Sequence, residues 1–548
     1  MSHFKKTRQN IPMYLLYALV CVVLIIVAYT RIRLLNVPLE RDEGEYAYMG
    51  QLLLKGIPPY LNAYTMKLPG VSAVYALFMF LFGQTAFGIH LGLLIVNGLC
   101  VYFVYRLTLQ LFERDNALIS CSIYAILSVS QSILGVFAHA THFVVLFTLP
   151  GLILLLHYFD NKRDRYIFSS GICFGLAFTM KQHAIILIFF AVLYLIWHHL
   201  AIHGFKRKEL YTGCIFFTIG TGLPFLFIVV NITFFGAFSE FWFWTVQYAR
   251  EYSTGISIYQ GMELFHYTVT DILKPFFIIW LFAGIGCIFI CLQKANGFNR
   301  LFTGLFVLFS FLSVCPGFYF RQHYFVLVLP AISILAGHGI TSIVTLLLSS
   351  SQTKIMRSFA ILVILVPSLG YGINYEKEYL FTFSLYDVSR ALYGNNPFPE
   401  ALIVSSYLKS HTTEQDKIAI LGSEPELLFY ANRFSATGHI YMYGLMEMLP
   451  FAEQMQIQAI TQITQAKPKY VVFVNVSTSW LRQPYSNMTI FNWADNYLKN
   501  YYQLVGIVDM LEKYDIRYIW DEHVIGYVPV SDYFIVIYKR KTDNGGDS

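Results

Sequence analysis

Charge is what this sequence has little of. Only 13% of its 548 residues are Asp, Glu, Lys or Arg, about half the ~25% of a soluble domain. That deficit excludes an ordinary soluble chain, and repeated apolar runs of membrane-crossing length account for it. No acid or base falls in the middle of any such run, and coupling ions are normally bound by acids at bilayer depth. This argues against a transporter or lipid-sugar flippase. The net charge of +6 is no nucleic-acid signature, because Lys and Arg are dispersed and gather on no face. Cysteine is sparse as well. All eight lie in or at the ends of apolar runs, the last being Cys315, so no disulfide framework is implied. Cys287 and Cys291 have no His or acid nearby to complete a zinc site and read as buried thiols. Internal repeats are absent, and Gly422-Ser-Glu-Pro-Glu lacks the spacing of a dinucleotide loop.

What is present is a series of spans. The basic N-terminus MSHFKKTRQN leads into an apolar run from Ile11 to Ala28 without a small-residue cleavage site, which reads as a retained first helix. Further runs near 86–106, 117–134, 141–158, 166–180, 183–200, 211–233, 274–292, 301–315, 324–347 and 358–374 predict about eleven spanning helices. Every second loop is basic, from Lys5 and Lys6 through Arg106, Lys162 and Lys206 to Lys354. By the positive-inside rule the N-terminus is cytoplasmic, and an odd number of crossings puts the C-terminal part outside. Residues 1–374 are expected to form the membrane domain, with a first outer loop at 31–85, and residues 375–548 an external α/β domain. There Lys417–Leu421, Tyr470–Asn475, Leu504–Val508 and Tyr533–Tyr538 read as strands, and Phe451–Ala466 and Asn492–Asn500 as helices.

The outer loop is the chemically dense stretch. In VPLERDEGEYAYMGQLLLKGIPPYLNAYTMKLPG, Asp42, Glu43 and Glu45 fall within four residues, with Lys55 and Lys67 further on. Glu43 to Lys55 can form a short helix, and Val71 to Phe82 is apolar but too short to cross; both suit helices in the interface plane. A plain reading of Asp42 is a helix N-cap with Glu45 completing a capping box, and Glu45 reads as structural. Other polar groups stand at the outer ends of spans: Lys181-Gln182-His183, Gln247 to Tyr252, and Arg321-Gln322-His323-Tyr324. Their cations break the positive-inside pattern, which suggests an anion bound at the outer surface, although snorkelling to headgroups is the simpler explanation for each. The FWFWTVQY run at 241–248 reads as an aromatic belt, with stacking on a sugar or isoprenoid as an added role.

The DEGEY and KLPG of this loop, with GLAFTMKQHA and FRQHYFVLVLPAISILAG later, resemble the bacterial GT-C glycosyltransferases. The nearest group is the family 39 type, related to protein O-mannosyltransferases and to the aminoarabinose transferase of lipid A. The resemblance covers about residues 12–374, and DKIAILGSEPELLFYANRFSATG extends it more loosely. It implies an α-helical polytopic GT-C membrane protein with an external α/β domain. It further implies inverting transfer of a sugar from a polyprenyl-phosphate donor to a protein, lipid A or wall-glycan acceptor at the outer face of the bacterial inner membrane. Membrane lipids are then partners and nucleic acid is not. A lipid phosphate leaves without protonation, so one base for the acceptor hydroxyl suffices, with positive charge for the departing phosphate; a glycosidase would need two carboxylates. The resemblance implies Asp42 as base and Glu43 as its orienter or metal partner. Lys67, Lys181 and Arg321 are then candidates for the phosphate, and Gln182, His323 and Tyr324 for substrate contacts. No cofactor is firmly implied, a divalent cation being the one candidate. The sequence departs from the family at His142, where a Glu is common, which leaves the donor sugar open. His139 and His142, three apart, could share a metal, but no third ligand stands near them. A ligase or polymerase of lipid-linked oligosaccharides is the alternative, and it would carry more outer-loop arginine.

Overall fold

In lipid a chain can satisfy its backbone only by helices or a closed barrel, and the computed structural model is predominantly helical over the predicted runs. It describes residues 2–203, 207–292, 297–348 and 353–541, with side chains for 14–201, 208–292, 297–348 and 353–541. Among the described residues, seven helices are long and apolar enough to cross a membrane, from Tyr14–Arg33 to Lys354–Tyr375. An eighth is counted if Ile258–Leu273 and Phe277–Leu292, which meet at 107°, form one broken span. Fewer of the described helices than the expected eleven are that long. Arg114–Leu127, Asp164–Met180 and Gly297–Leu312 have 14, 17 and 16 residues, short of the ~20 that cross at normal thickness. An apolar run in sequence continues through such a break, whereas the helix does not. Cys287 and Cys291 also differ from expectation: they are exposed. Their helix buries Ile279, Ala283, Gly286 and Ile290, a face of helical period, and the two thiols lie off it.

The first polar loop supplies Arg41–Leu54 and Gly70–Phe82. Every residue from Glu43 to Leu52 is buried, so the first of these is a helix covered by protein. The second leaves Leu77, Phe80 and Leu81 exposed. The cover over the first is the C-terminal part. Its helix Pro425–Ala431 packs directly on Arg41–Leu54 because of Gly44, where a Cβ would stand 2.6 Å from the Glu426 nitrogen.

That C-terminal part contains a six-stranded sheet of β1 (Lys417–Leu421), β2 (Phe434–Ser435), β3 (Tyr470–Asn475), β4 (Tyr502–Met510), β5 (Ile516–Trp520) and β6 (Phe534–Arg540). The order is β2-β1-β3-β6-β4-β5, with β2, β1 and β3 parallel and the rest antiparallel. Four strands match the sequence reading; β2 is two residues long and β5 is a half-buried edge, too weak a pattern to read. The turns after β1 and β3 meet, Ser479 Oγ accepting from the Ser423 nitrogen at 2.9 Å. Arg41 donates to the Ser423 carbonyl and pairs with Glu424 at 2.9 Å. The sheet thereby grips the first turn of the helix that carries the acids.

Candidate active site

The first turn of Arg41–Leu54 is capped by Glu40, which accepts from the Glu43 nitrogen at 2.9 Å while Glu43 reaches back to the Glu40 nitrogen. The capping box therefore lies two residues upstream of the expected Asp42–Glu45 pair, and Asp42 has no capping duty. Glu43 turns inward. Fully buried, it accepts from Ala138 N at 2.5 Å and contacts His90 Nε2 at 3.0 Å, joining the loop to the Ala86–Leu111 helix. It is a scaffold residue and does not stand at the mouth.

Three apart on a helix, Asp42 and Glu45 share a face, and both hold Lys67 Nζ, at 2.7 and 2.5 Å. Glu45 thus belongs to the site. Lys67, expected as a candidate for the phosphate, is ion-paired with both acids. Tyr441 from the C-terminal part donates to Asp42 Oδ1 at 3.1 Å. Burial pushes the Asp42 carboxyl up, but Lys67, then His323 and His139, outweigh it and hold the group well below the ordinary carboxylate range.

Gly70 in KLPG is needed because a Cβ there would run into the Thr179 carbonyl. The turn consequently sits on the C-terminal end of Asp164–Met180, and Lys181 emerges beside Lys67. Burial lowers the Lys181 ammonium to about 7, Asp42 opposing and the cations Lys67 and Arg321 assisting. Its Nζ lies 3.8 Å from the centre of the Tyr324 ring. Gln182 donates to the Met66 carbonyl at 2.8 Å and so braces the turn. Arg321 stands at the open rim, 5.6 Å over Tyr319. It follows a left-handed stretch with φ of 74°, 56° and 43° at Gly317, Phe318 and Phe320, unusual for Phe and typical of functional segments. Asp42, Lys67, Lys181, Arg321, His323 and Tyr324 therefore share one mouth; Glu43 and Gln182 flank it.

His139 and His323 stack with ring centres 4.0 Å apart and planes at 12°. One ligand atom each from Asp42, His139 and His323 lies within 4.8 Å of the others. His142 is buried but outside this trio, so the third ligand unseen near His139 and His142 is His323, and the pairing with His142 is wrong. Both His139 ring nitrogens are buried without a hydrogen-bond partner, and burial lowers the ring to about 4 despite Asp42. Two neutral imidazoles and a carboxylate, with open lone pairs, suit a divalent cation such as Zn²⁺.

Next to the mouth runs an apolar groove of about 510 Å³, lined by Ile186, Phe189, Leu193, Phe309 and Phe318 among others. It begins one turn past Lys181 and ends at the segment bearing Arg321. The aromatic run 241–248 is only partly belt-like: Trp242 is exposed, while Phe241 is buried and a π-helical turn points Trp244 and Tyr248 inward.

The model of the family described as dolichyl-phosphate-mannose-protein mannosyltransferase matches residues 66–227. ArnT from Cupriavidus metallidurans, solved bound to undecaprenyl phosphate, superposes with a TM-score of 0.57 at 15% identity, covering 96% of this chain and 98% of that one. The protein has the GT-C fold. The Archaeoglobus fulgidus oligosaccharyltransferase in complex with Zn and sulfate superposes with a TM-score of 0.55 at 14% identity, covering 92% of this chain and 73% of that one. The same enzyme tethered to an acceptor peptide containing the NVT sequon gives 0.54 at 14% identity, covering 93% and 74%. No curated protein sequence matches the chain significantly. The family match and the GT-C fold together support a multi-pass membrane glycosyltransferase.

Sequence reasoning missed Glu40 as the cap, Tyr441, and the His139–His323 stack. An acid three residues before Glu43 could have revealed the first. Tyr441 and His323 come from segments remote in the chain, and nothing local marked their meeting.

Proposed function

We propose that this protein transfers a sugar from a polyprenyl-phosphate donor to an acceptor hydroxyl at the outer face of a bacterial inner membrane, with inversion. The observation that carries the reading is the convergence of one ionised Asp, two cations and an apolar groove at one mouth. The isoprenoid lies in the groove, and Lys181 and Arg321 receive its phosphate, Arg321 able to clamp two oxygens and Lys181 acting as a point charge. Asp42 takes the acceptor proton. A carboxylate held this strongly ionised is a weak base, which suits a loose transition state in which the proton leaves late. Lys67 and Tyr441 fix its orientation, and Glu45 balances the Lys67 charge. A divalent cation, when bound, would be held by Asp42, His139 and His323 and would supply positive charge for the phosphate. The part from residue 375 onward is external in this reading and closes over the acids.

The test is incubation of purified protein with a panel of polyprenyl-phosphate sugars, following release of free lipid phosphate. Lys181→Ala is expected to weaken donor binding chiefly. A protein that turns over polyprenyl diphosphate donors and no monophosphate would be a ligase or polymerase instead.

A further inference from the structure

A second cleft, separate from the apolar groove, reaches the same acids. Its walls are the rings of Tyr64, Trp244, Tyr248, His439, Tyr441 and Tyr443, contributed by the first outer loop, the 241–248 run and the segment after β2. Glu45 and Lys67 also face it, beside the apolar side chains of Met66, Leu445 and Met455. Lys67 holds Glu45 Oε2 at 2.5 Å, but Oε1, equally buried, has no hydrogen-bond partner. Tyr441 links the cleft to Asp42 through its hydroxyl. The walls are braced: Tyr64 stacks on Trp244 at 5.2 Å and 17°, and Gln462 donates to its hydroxyl at 2.8 Å. A Cβ at Gly438 would strike the Tyr64 ring, and one at Gly444 the Tyr248 hydroxyl, so two glycines let the segment close on the rings.

These walls suit one chemical class. A pyranose has faces of C–H groups and a rim of hydroxyls. Electron-rich aromatic faces attract the C–H groups, and an unpaired carboxylate oxygen accepts from a hydroxyl. An extended peptide would instead seek a strand edge, and no strand contributes to this lining. Free space is about 40 Å³, room for a few waters, so a ring enters by displacing Tyr443. That residue lies in a segment whose regular structure is a single 3-10 turn, Tyr443–Leu445.

Resting on the transfer reaction proposed above, we infer that this cleft binds a sugar ring of the acceptor, and that the nucleophile is a glycan hydroxyl and not a protein Ser or Thr. The acceptor hydroxyl oxygen bonds to the anomeric carbon as the carbon–phosphate oxygen bond breaks; its proton passes late to Asp42 and the electron pair leaves with the lipid phosphate.

Saturation-transfer NMR on the full-length protein in detergent tests this with methyl glycosides of glucose, mannose, galactose and N-acetylglucosamine, beside a Thr-containing peptide. At least one glycoside should bind saturably to wild type, Trp244→Phe and Asp42→Asn, and at least tenfold more weakly to Trp244→Ala. Absence of glycoside binding, an unchanged affinity in Trp244→Ala, or peptide binding in their place overturns the inference. If Trp244→Ala does not fold, Tyr64→Ala, which removes the ring stacked on Trp244, replaces it with the same expected loss. Glycoside binding in a wild type that turns over no lipid-phosphate donor would reject the transfer reading while upholding the cleft.

Discussion

Replacing Asp42 by Asn separates chemistry from architecture. The amide keeps an oxygen for the Tyr441 hydroxyl but cannot take a proton. Lys67 loses one of two carboxylates and keeps Glu45 at 2.5 Å. A charge-assisted hydrogen bond is worth ~1.5–3 kcal/mol when buried. Here the Asp42 side chain is 23% exposed and the lysine stays paired, so screening leaves a loss of about 1 kcal/mol. That moves the melting temperature of a chain this large by roughly 2 °C. Loss of a general base costs about 10²–10⁴ in rate, or ~3–5 kcal/mol of transition-state stabilisation. The assay is lipid-phosphate release with saturating donor, paired with thermal unfolding in the same detergent. Turnover within about tenfold of wild type, with a normal melting temperature, would refute the base assignment.

Glu43→Ala strands His90 and the Ala138 N–H in a buried site and should cost ~3–5 kcal/mol, read as a large fall in melting temperature; a stable variant would refute the scaffold role. Burial raises the Glu376 carboxyl from 4.5 to about 7 against hydrogen bonds from Ser130 and Gln131. The folded state then binds the proton more tightly than the unfolded, so this contribution is full below pH ~4.5 and is lost as pH rises through ~7. It amounts to ~3 kcal/mol at most. The melting temperature should fall between pH 5 and 8 in wild type and less in Glu376→Gln; equal slopes would refute this. Zn²⁺ retained through gel filtration should be lost from His139→Ala, and a wild type that retains none would remove the Asp42–His139–His323 site.

Local pattern was enough for several features. Apolar runs became helices, Lys417–Leu421 and Tyr470–Asn475 became strands, and the loop with Asp42 became the centre of the site. Those inferences rest on properties a residue shares with its near neighbours, because lipid enforces helices and alternation marks strands. The capping box was recognisable in kind but placed two residues late, since Asp42 and Glu40 fit the same sequence pattern and only the backbone's entry into the helix chooses between them. Fewer described helices than expected reach crossing length for the same reason: hydropathy does not register where a helix breaks.

The sequence by itself determined that this is a membrane protein of many helices with an acidic first loop and cations at span ends. Only the tertiary structure decided their partners: Lys67 with Asp42 and Glu45, His139 on His323, and Tyr441 from the far end of the chain on the proposed base. Such pairings join segments up to 399 residues apart, and their geometry follows from how helices pack around Gly44 and Gly70, which no local periodicity encodes.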